Sequence, residues 1–195
     1  MKMNIPNTLT ILRVVCVPIF VVVMMLDIAE PWSGIISALI FGLVSLTDML
    51  DGKIARKYNM ITDFGKVADP VADKFMVFSA FITMLIVDRY AFMKNVLIWA
   101  ALIVILRELA VTSIRIVVSG KAPTLAANML GKIKTVSQIV FILIAFLEPS
   151  VYAIIGVEDN LHILTYVTMV FMVVMTIVSG VNYLLVYGKY MDKEM

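Results

Sequence analysis

Long apolar runs broken by short polar stretches set the rhythm of this chain. A helix needs about 17–25 apolar residues to cross the hydrocarbon core of a bilayer. Six segments qualify when their polar ends are counted, at 8–27, 33–56, 66–88, 95–118, 128–147 and 162–187. The runs are continuous rather than alternating, so they lack the repeated dyad pattern, about ten residues long, of a membrane β-barrel. The pattern therefore predicts an all-α integral membrane protein of six transmembrane helices, with residues 1–195 forming a single membrane domain. Pro18 falls inside the first helix, where a bundle can tolerate it as a kink. No internal repeat, low-complexity tract or interdomain linker divides the chain.

Composition takes this further. A mean hydropathy of +1.02 with only 15% charged residues is outside the range of a soluble domain of this length. Sidedness follows from Lys and Arg in the short loops. Lys2 and Arg13, then Lys53, Arg56, Lys57 and Lys66, then Arg115, Lys121, Lys132 and Lys134, and finally Lys189 and Lys193 fall on one side. The opposite connections carry Asp27 and Glu30, then Asp88, Arg89 and Lys94, then Glu148, Glu158 and Asp159. Both termini are thus expected in the cytoplasm. Lys2 and the apolar run Val14–Leu26 look like the start of a signal peptide, but no small-x-small cleavage site follows, so a retained first helix is expected. The net charge of +2, gathered on the cytoplasmic loops, fits anionic lipid headgroups and gives no reason to invoke nucleic acid.

Against this background one stretch stands out. Asp48, Asp51, Gly52, Ala55, Arg56, Gly65, Asp69 and Asp73 spell D-x2-D-G-x2-A-R-x8-G-x3-D-x3-D across the second and third helices. A carboxylate at the centre of a membrane helix costs at least about 2.5–3.5 kcal/mol, so four at regular spacing require compensation by cations or water. Asp48 and Asp51 are three apart and Asp69 and Asp73 four apart, which puts each pair on one face of its helix. Two such faces meeting make a four-carboxylate cage. Bare, its members would repel and take up protons; two divalent cations would keep them ionised. Oxygen ligands without His or Cys favour magnesium, manganese or calcium over zinc. Magnesium in turn prefers phosphate oxygens in its open positions, and a metal pair suits phosphoryl transfer. Gly52, Ala55 and Arg56 continue the stripe, leaving a smooth strip beside a planar guanidinium fork. Pro70 is expected in the first turn of the third helix, where its missing donor costs little.

At these residues the chain resembles the CDP-alcohol phosphotransferase family, whose eight-position signature it matches without a departure. The resemblance extends to Met3–Arg13, to Arg107–Thr112 and to Gly131–Thr135, which are similar to the bacterial branch whose acceptor is sn-glycerol 3-phosphate. It implies a six-helix homodimer in the bacterial cytoplasmic membrane. Its active site would face the cytosol, and two Mg2+ or Mn2+ ions would serve transfer of the phosphatidyl group of CDP-diacylglycerol to an alcohol with release of CMP. It also implies that Asp48, Asp51 and Asp69 bind metal, with Asp73 completing the site and acting as the base. Gly52, Arg56, Thr62 and Gly65 fall where the family holds the cytidine diphosphate, with Asn7 and Thr10 of the first helix beside them.

The acceptor side is read from charge. Arg107 lies near the middle of the fourth apolar segment beside Glu108, and Arg115 is about two turns further on the same face, so this helix must line a wet cavity. Arg115 with Lys132 and Lys134 gathers positive charge that suits a dianionic phosphate, and Arg107, Arg115, Lys132 and Lys134 are the expected acceptor-phosphate residues. Arg107 and Glu108, as sequence neighbours, are not expected to face each other, though each can pair elsewhere. Gly131–Thr135 is not a phosphate-binding P-loop, because position 126 is an alanine and no strand precedes it. Cys16, the one cysteine, reads as a packing residue, and the lone His162 has no second His or Cys to share a metal. Two competitors remain open at this point. The first is the same chemistry with inositol phosphate, serine or phosphatidylglycerol as acceptor. The second is a divalent-cation transporter, for which acidic residues in membrane helices are also a mark.

Overall fold

A computed structural model describes the backbone of residues 5–26, 28–57, 63–118, 129–156 and 161–188, and side chains at 11–26, 28–47, 72, 74–118, 129–156 and 161–188. The described residues form six α-helices: α1 (Ile5–Met25), α2 (Trp32–Lys57), α3 (Asp63–Ile86), α4 (Lys94–Val118), α5 (Met129–Ile155) and α6 (Ile163–Tyr187). A short 3-10 helix, Asp88–Met93, leads into α4. No strand occurs among the described residues, in keeping with the continuous apolar runs. Three stretches are long and apolar enough to cross a membrane: Asp88–Val118, Met129–Ile155 and Ile163–Tyr187. Shorter apolar helical stretches run Ile11–Met25, Trp32–Thr47 and Lys74–Ile86.

Two boundaries differ from the expectation in ways that matter. α3 begins at Asp63 rather than at 66, which places Pro70 in the helix interior and not in its first turn. There the missing N–H leaves the Lys66 carbonyl without its helical donor. α5 continues through Glu148 and Pro149 to Ile155, eight residues beyond the expected end at 147. Local bonds carry it past the proline. Ser150 Oγ donates to the Phe146 carbonyl at 3.2 Å, and Tyr152 Oη donates to Glu148 Oε1 one turn back at 2.9 Å. The helix ends where Gly156 adopts φ 68°, the left-handed conformation in which glycine suffers no Cβ penalty.

The chain divides into two compact units, Met1–Phe92 with Ile142–His162, and Met93–Phe141 with Ile163–Met195; α5 contributes residues to both. The first unit is organised by aromatic side chains. Phe20 of α1, Phe41 of α2 and Phe146 of α5 meet with ring centroids 5.9–6.2 Å apart, and Tyr90 lies 6.1 Å from Phe146. All four are buried, and each such tilted or edge-on pair is worth about 0.5–1.5 kcal/mol beyond its area. α2 reaches this cluster through small residues. Ser33, Gly34, Ser37 and Ala38 are buried on its inner face, the small-xxx-small spacing that lets membrane helices approach closely. Ser37 Oγ satisfies itself by donating to the Ser33 carbonyl at 2.8 Å.

Near this cluster a polar clamp ties loop to helix. Arg89 Nε lies 3.0 Å from Glu30 Oε1, Ser150 Oγ donates to Glu30 Oε2 at 2.9 Å, and Arg89 Nη2 donates to the Ile28 carbonyl at 3.4 Å. His162, in the left-handed region at φ 41°, stacks on Phe92 with centroids 3.8 Å apart, so its ring serves packing before α6. In the second unit α4 and α6 pack along faces of matching period. Leu97, Ala100, Ala101, Val104, Val111, Ile114 and Val118 are buried on α4, as are Thr165, Met169, Met172, Thr176, Ser179 and Gly180 on α6. Their opposite faces expose large apolar residues such as Trp99, Leu106, Val170 and Leu185, which is how a helix meets lipid rather than water.

A Cβ at Gly34 would fall on the Phe146 carbonyl and the Ser150 hydroxyl. Gly34→Val is therefore expected to lower the thermal unfolding midpoint in detergent, with an overpacking cost of about 1–3 kcal/mol. Leu39→Ala, on the exposed face of the same helix, should stay within about 0.5 kcal/mol of the parent; equal losses in the two variants would refute the close α2–α5 approach.

Candidate active site

The acidic signature lies on two helices. The backbone of α2 runs unbroken through positions 48, 51, 52, 55 and 56, and that of α3 through 65, 69 and 73. Helical register therefore holds at both pairs, three residues apart on α2 and four apart on α3, so each pair shares a helix face. The residue types fit hard divalent cations. The side chains of Asp48, Asp51, Gly52, Arg56, Gly65, Asp69 and Asp73, and those of Asn7 and Thr10 on α1, lie outside the described residues, as does all of Thr62. Among the described residues no group of three His, Cys, Asp or Glu side chains could hold a metal.

The cations expected to take the acceptor phosphate lie among the described residues. Glu108 of α4 is the hub. Its Oε1 accepts from Arg107 Nη1 at 3.0 Å and from Lys134 Nζ of α5. Arg107 Nη2 donates to Ser179 Oγ of α6 at 2.7 Å. The side chains are largely withdrawn from solvent, at 13% exposure for Arg107, 14% for Glu108 and 6% for Lys134. Among the described residues one carboxylate thus meets a guanidinium and an ammonium in an apolar setting.

The contact between Arg107 and Glu108 corrects the expectation that these neighbours do not face each other. Two long side chains from adjacent positions can both lean toward a third group, and here Lys134 supplies it. Arg107 and Lys134 are brought together on one carboxylate, whereas Arg115 and Lys132 are exposed and stand outside this bonded set among the described residues.

Two residues of α6 escaped the sequence reading. Ser179 closes the Arg107 seat, and Gly180 makes room for it, since a Cβ there would sit 3.0 Å from Arg107 Cγ and 3.9 Å from Nε. The available signal was a Ser-Gly pair inside an otherwise apolar helix, the kind of small step at which membrane helices approach each other.

An all-helical, multi-pass membrane protein with an acidic signature on two helices and a buried cationic cluster on three others is a narrow class. A model of the CDP-alcohol phosphatidyltransferase family matches residues 3–185, and the chain belongs to that family. Among curated proteins it is similar to the CDP-diacylglycerol–glycerol-3-phosphate 3-phosphatidyltransferase of Bacillus subtilis (strain 168). The two are 39% identical over 147 residues, which cover 70% of this chain and 73% of the relative. Proteins of the same name from Salmonella typhimurium (strain LT2) and Escherichia coli (strain K12) are 37% and 36% identical over 154 residues, covering 78% of this chain and 81% of each relative.

Removing the hub charge would take from Arg107 and Lys134 the carboxylate they share. Glu108→Gln is expected to destabilise the protein by about 3–5 kcal/mol, the usual cost of removing one partner of a buried ion pair. Combining it with Lys134→Met should recover part of the loss. Thermal unfolding in detergent reads both; a double variant no more stable than Glu108→Gln would show that the pairing is not what the carboxylate provides.

Proposed function

We propose that this protein is a phosphatidylglycerophosphate synthase. It transfers the phosphatidyl group of CDP-diacylglycerol to sn-glycerol 3-phosphate in a bacterial cytoplasmic membrane, giving phosphatidylglycerol phosphate and CMP. The observation that carries this reading is the complete eight-residue signature, set in helical register on α2 and α3, within a family match that spans nearly the whole chain. The acceptor is supported by the shared name of the relatives and by the buried Arg107–Glu108–Lys134 cluster, whose guanidinium and ammonium are groups that bind phosphate.

In this reading the chain is a single domain crossing the membrane six times, with both termini and the active site on the cytoplasmic side, and it works as a homodimer. Asp48, Asp51, Asp69 and Asp73 hold two divalent cations, Mg2+ or Mn2+. The chemistry these supply when bound is neutralisation of the pyrophosphate, which makes CMP a better leaving group. Gly52, Arg56, Thr62 and Gly65, with Asn7 and Thr10, hold the cytidine diphosphate, Arg56 by its planar fork. Arg107, Arg115, Lys132 and Lys134 attract and orient the acceptor phosphate.

Asp73 takes the proton from the acceptor hydroxyl as its oxygen attacks the lipid-bearing phosphorus. The bond from that phosphorus to the bridging oxygen breaks, and CMP departs with the electron pair. Direct in-line displacement needs no covalent aspartyl intermediate.

Purified protein given CDP-diacylglycerol and magnesium should release CMP only when sn-glycerol 3-phosphate is added, and EDTA should abolish the release. Release that instead requires inositol phosphate, serine or phosphatidylglycerol would assign a different acceptor. Metal flux into liposomes without CMP release would overturn the enzyme reading altogether. Asp73→Asn should keep CDP-diacylglycerol binding while losing at least about two orders of magnitude in turnover, the scale of general-base catalysis; normal turnover would remove Asp73 from the base role.

A further inference from the structure

We propose that Ser179 of α6 is a positioning residue for the acceptor step, acting through Arg107; this rests on the reading of Arg107 as an acceptor-phosphate residue. An arginine side chain is long and flexible, and its usefulness to an anion depends on where its fork is held. Here both terminal nitrogens are already engaged. Nη1 donates to Glu108 Oε1 at 3.0 Å and Nη2 to Ser179 Oγ at 2.7 Å. Glu108 draws the guanidinium from within α4, where it is also bound by Lys134 of α5, and Ser179 draws it toward α6.

Two further observations give the arrangement a direction. Arg107 Nε is buried and meets no acceptor among the described residues, so none of them competes with a ligand for this charged donor. A buried charged donor without a partner is expensive, which makes it a poor structural element and a good ligand contact. Beside it the α6 backbone carries Gly180, where a Cβ would come 3.0 Å from Arg107 Cγ and 3.9 Å from Nε. The glycine admits the arginine stem.

A guanidinium carries five N–H donors, and with one bonded to Glu108 and one to Ser179 the others are left for the acceptor phosphate; Ser179 determines where they point. A hydroxyl that merely packed α4 against α6 would influence both substrates and the turnover alike. One that aims Arg107 should act on the acceptor alone.

The test is steady-state CMP release from the full-length protein in mixed micelles of CDP-diacylglycerol, with sn-glycerol 3-phosphate varied. Ser179→Ala should raise KM for sn-glycerol 3-phosphate about tenfold, the effect of losing a hydrogen bond to a charged group, with kcat and KM for CDP-diacylglycerol within about twofold of the parent. Ser179→Thr, which keeps the hydroxyl, should restore the parent value. Arg107→Ala should raise the same KM, and adding Ser179→Ala to it should cause no further rise, because the two act as one unit.

Should Ser179→Ala fail to yield folded protein, Ser179→Cys, close in size and weaker as an acceptor, takes its place with the same readout. An unchanged acceptor KM in the serine variant beside a raised one in Arg107→Ala would overturn the positioning role and leave the acceptor reading standing. Equal losses for both substrates, unrescued by threonine, would also overturn it. An unchanged acceptor KM in Arg107→Ala would overturn the acceptor reading itself.

Discussion

Glu108 Oε1 receives a guanidinium from its own helix and an ammonium from α5, and the second unit of the molecule is arranged around that meeting. In an apolar helix a charge is stable only where counter-charges and hydrogen bonds replace water. The positions of Arg107, Glu108 and Lys134 on α4 and α5 are therefore not free to vary independently. Ser179 extends the same requirement to α6 by accepting from the other terminal nitrogen of Arg107. The need to neutralise buried charge thus decides which side chains three helices turn inward at this level.

The first unit solves a different problem with different means. Among Phe20, Phe41, Tyr90 and Phe146 contact is made by aromatic rings, and α2 residues small enough for a close approach join them at Gly34. Lipid tails are as apolar as these side chains, so association rests on packing and on a few hydrogen bonds rather than on the hydrophobic effect. The clamp of Glu30, Arg89 and Ser150 supplies such bonds. The same helix that presents Lys134 in one unit lends Phe146 and Ser150 to the other.

The chemistry is divided in the same way as the legibility of the chain. The carboxylates of the signature were readable because four acids at helical spacing are improbable in a chain of this composition, and because their number and type limit the cations they can hold. α2 and α3 do carry them in register. The role of Glu108 was not readable in the same manner. Spacing rules describe which positions share a face, and they omit two neighbouring side chains bending toward one partner on another helix. Ser179 and Gly180 were harder still, since a small pair in an apolar run has many uses. The end of α5 and the interior place of Pro70 were missed for a related reason: proline is read as a boundary, while neighbouring bonds can carry a helix past it.

By itself, then, the amino-acid sequence determined that the protein is helical and apolar, where its six helices run, and which eight residues form the signature. These are properties of periodicity, composition and local spacing, and each is contained within a segment of about one helix length. Only the tertiary structure decided which cations are buried together, that Glu108 joins them, that Ser179 accepts from Arg107, and that Gly180 leaves room for the arginine stem. Those outcomes depend on side chains 26 and 72 residues apart in the chain coming within hydrogen-bonding reach, and such a meeting is set by how the helices pack.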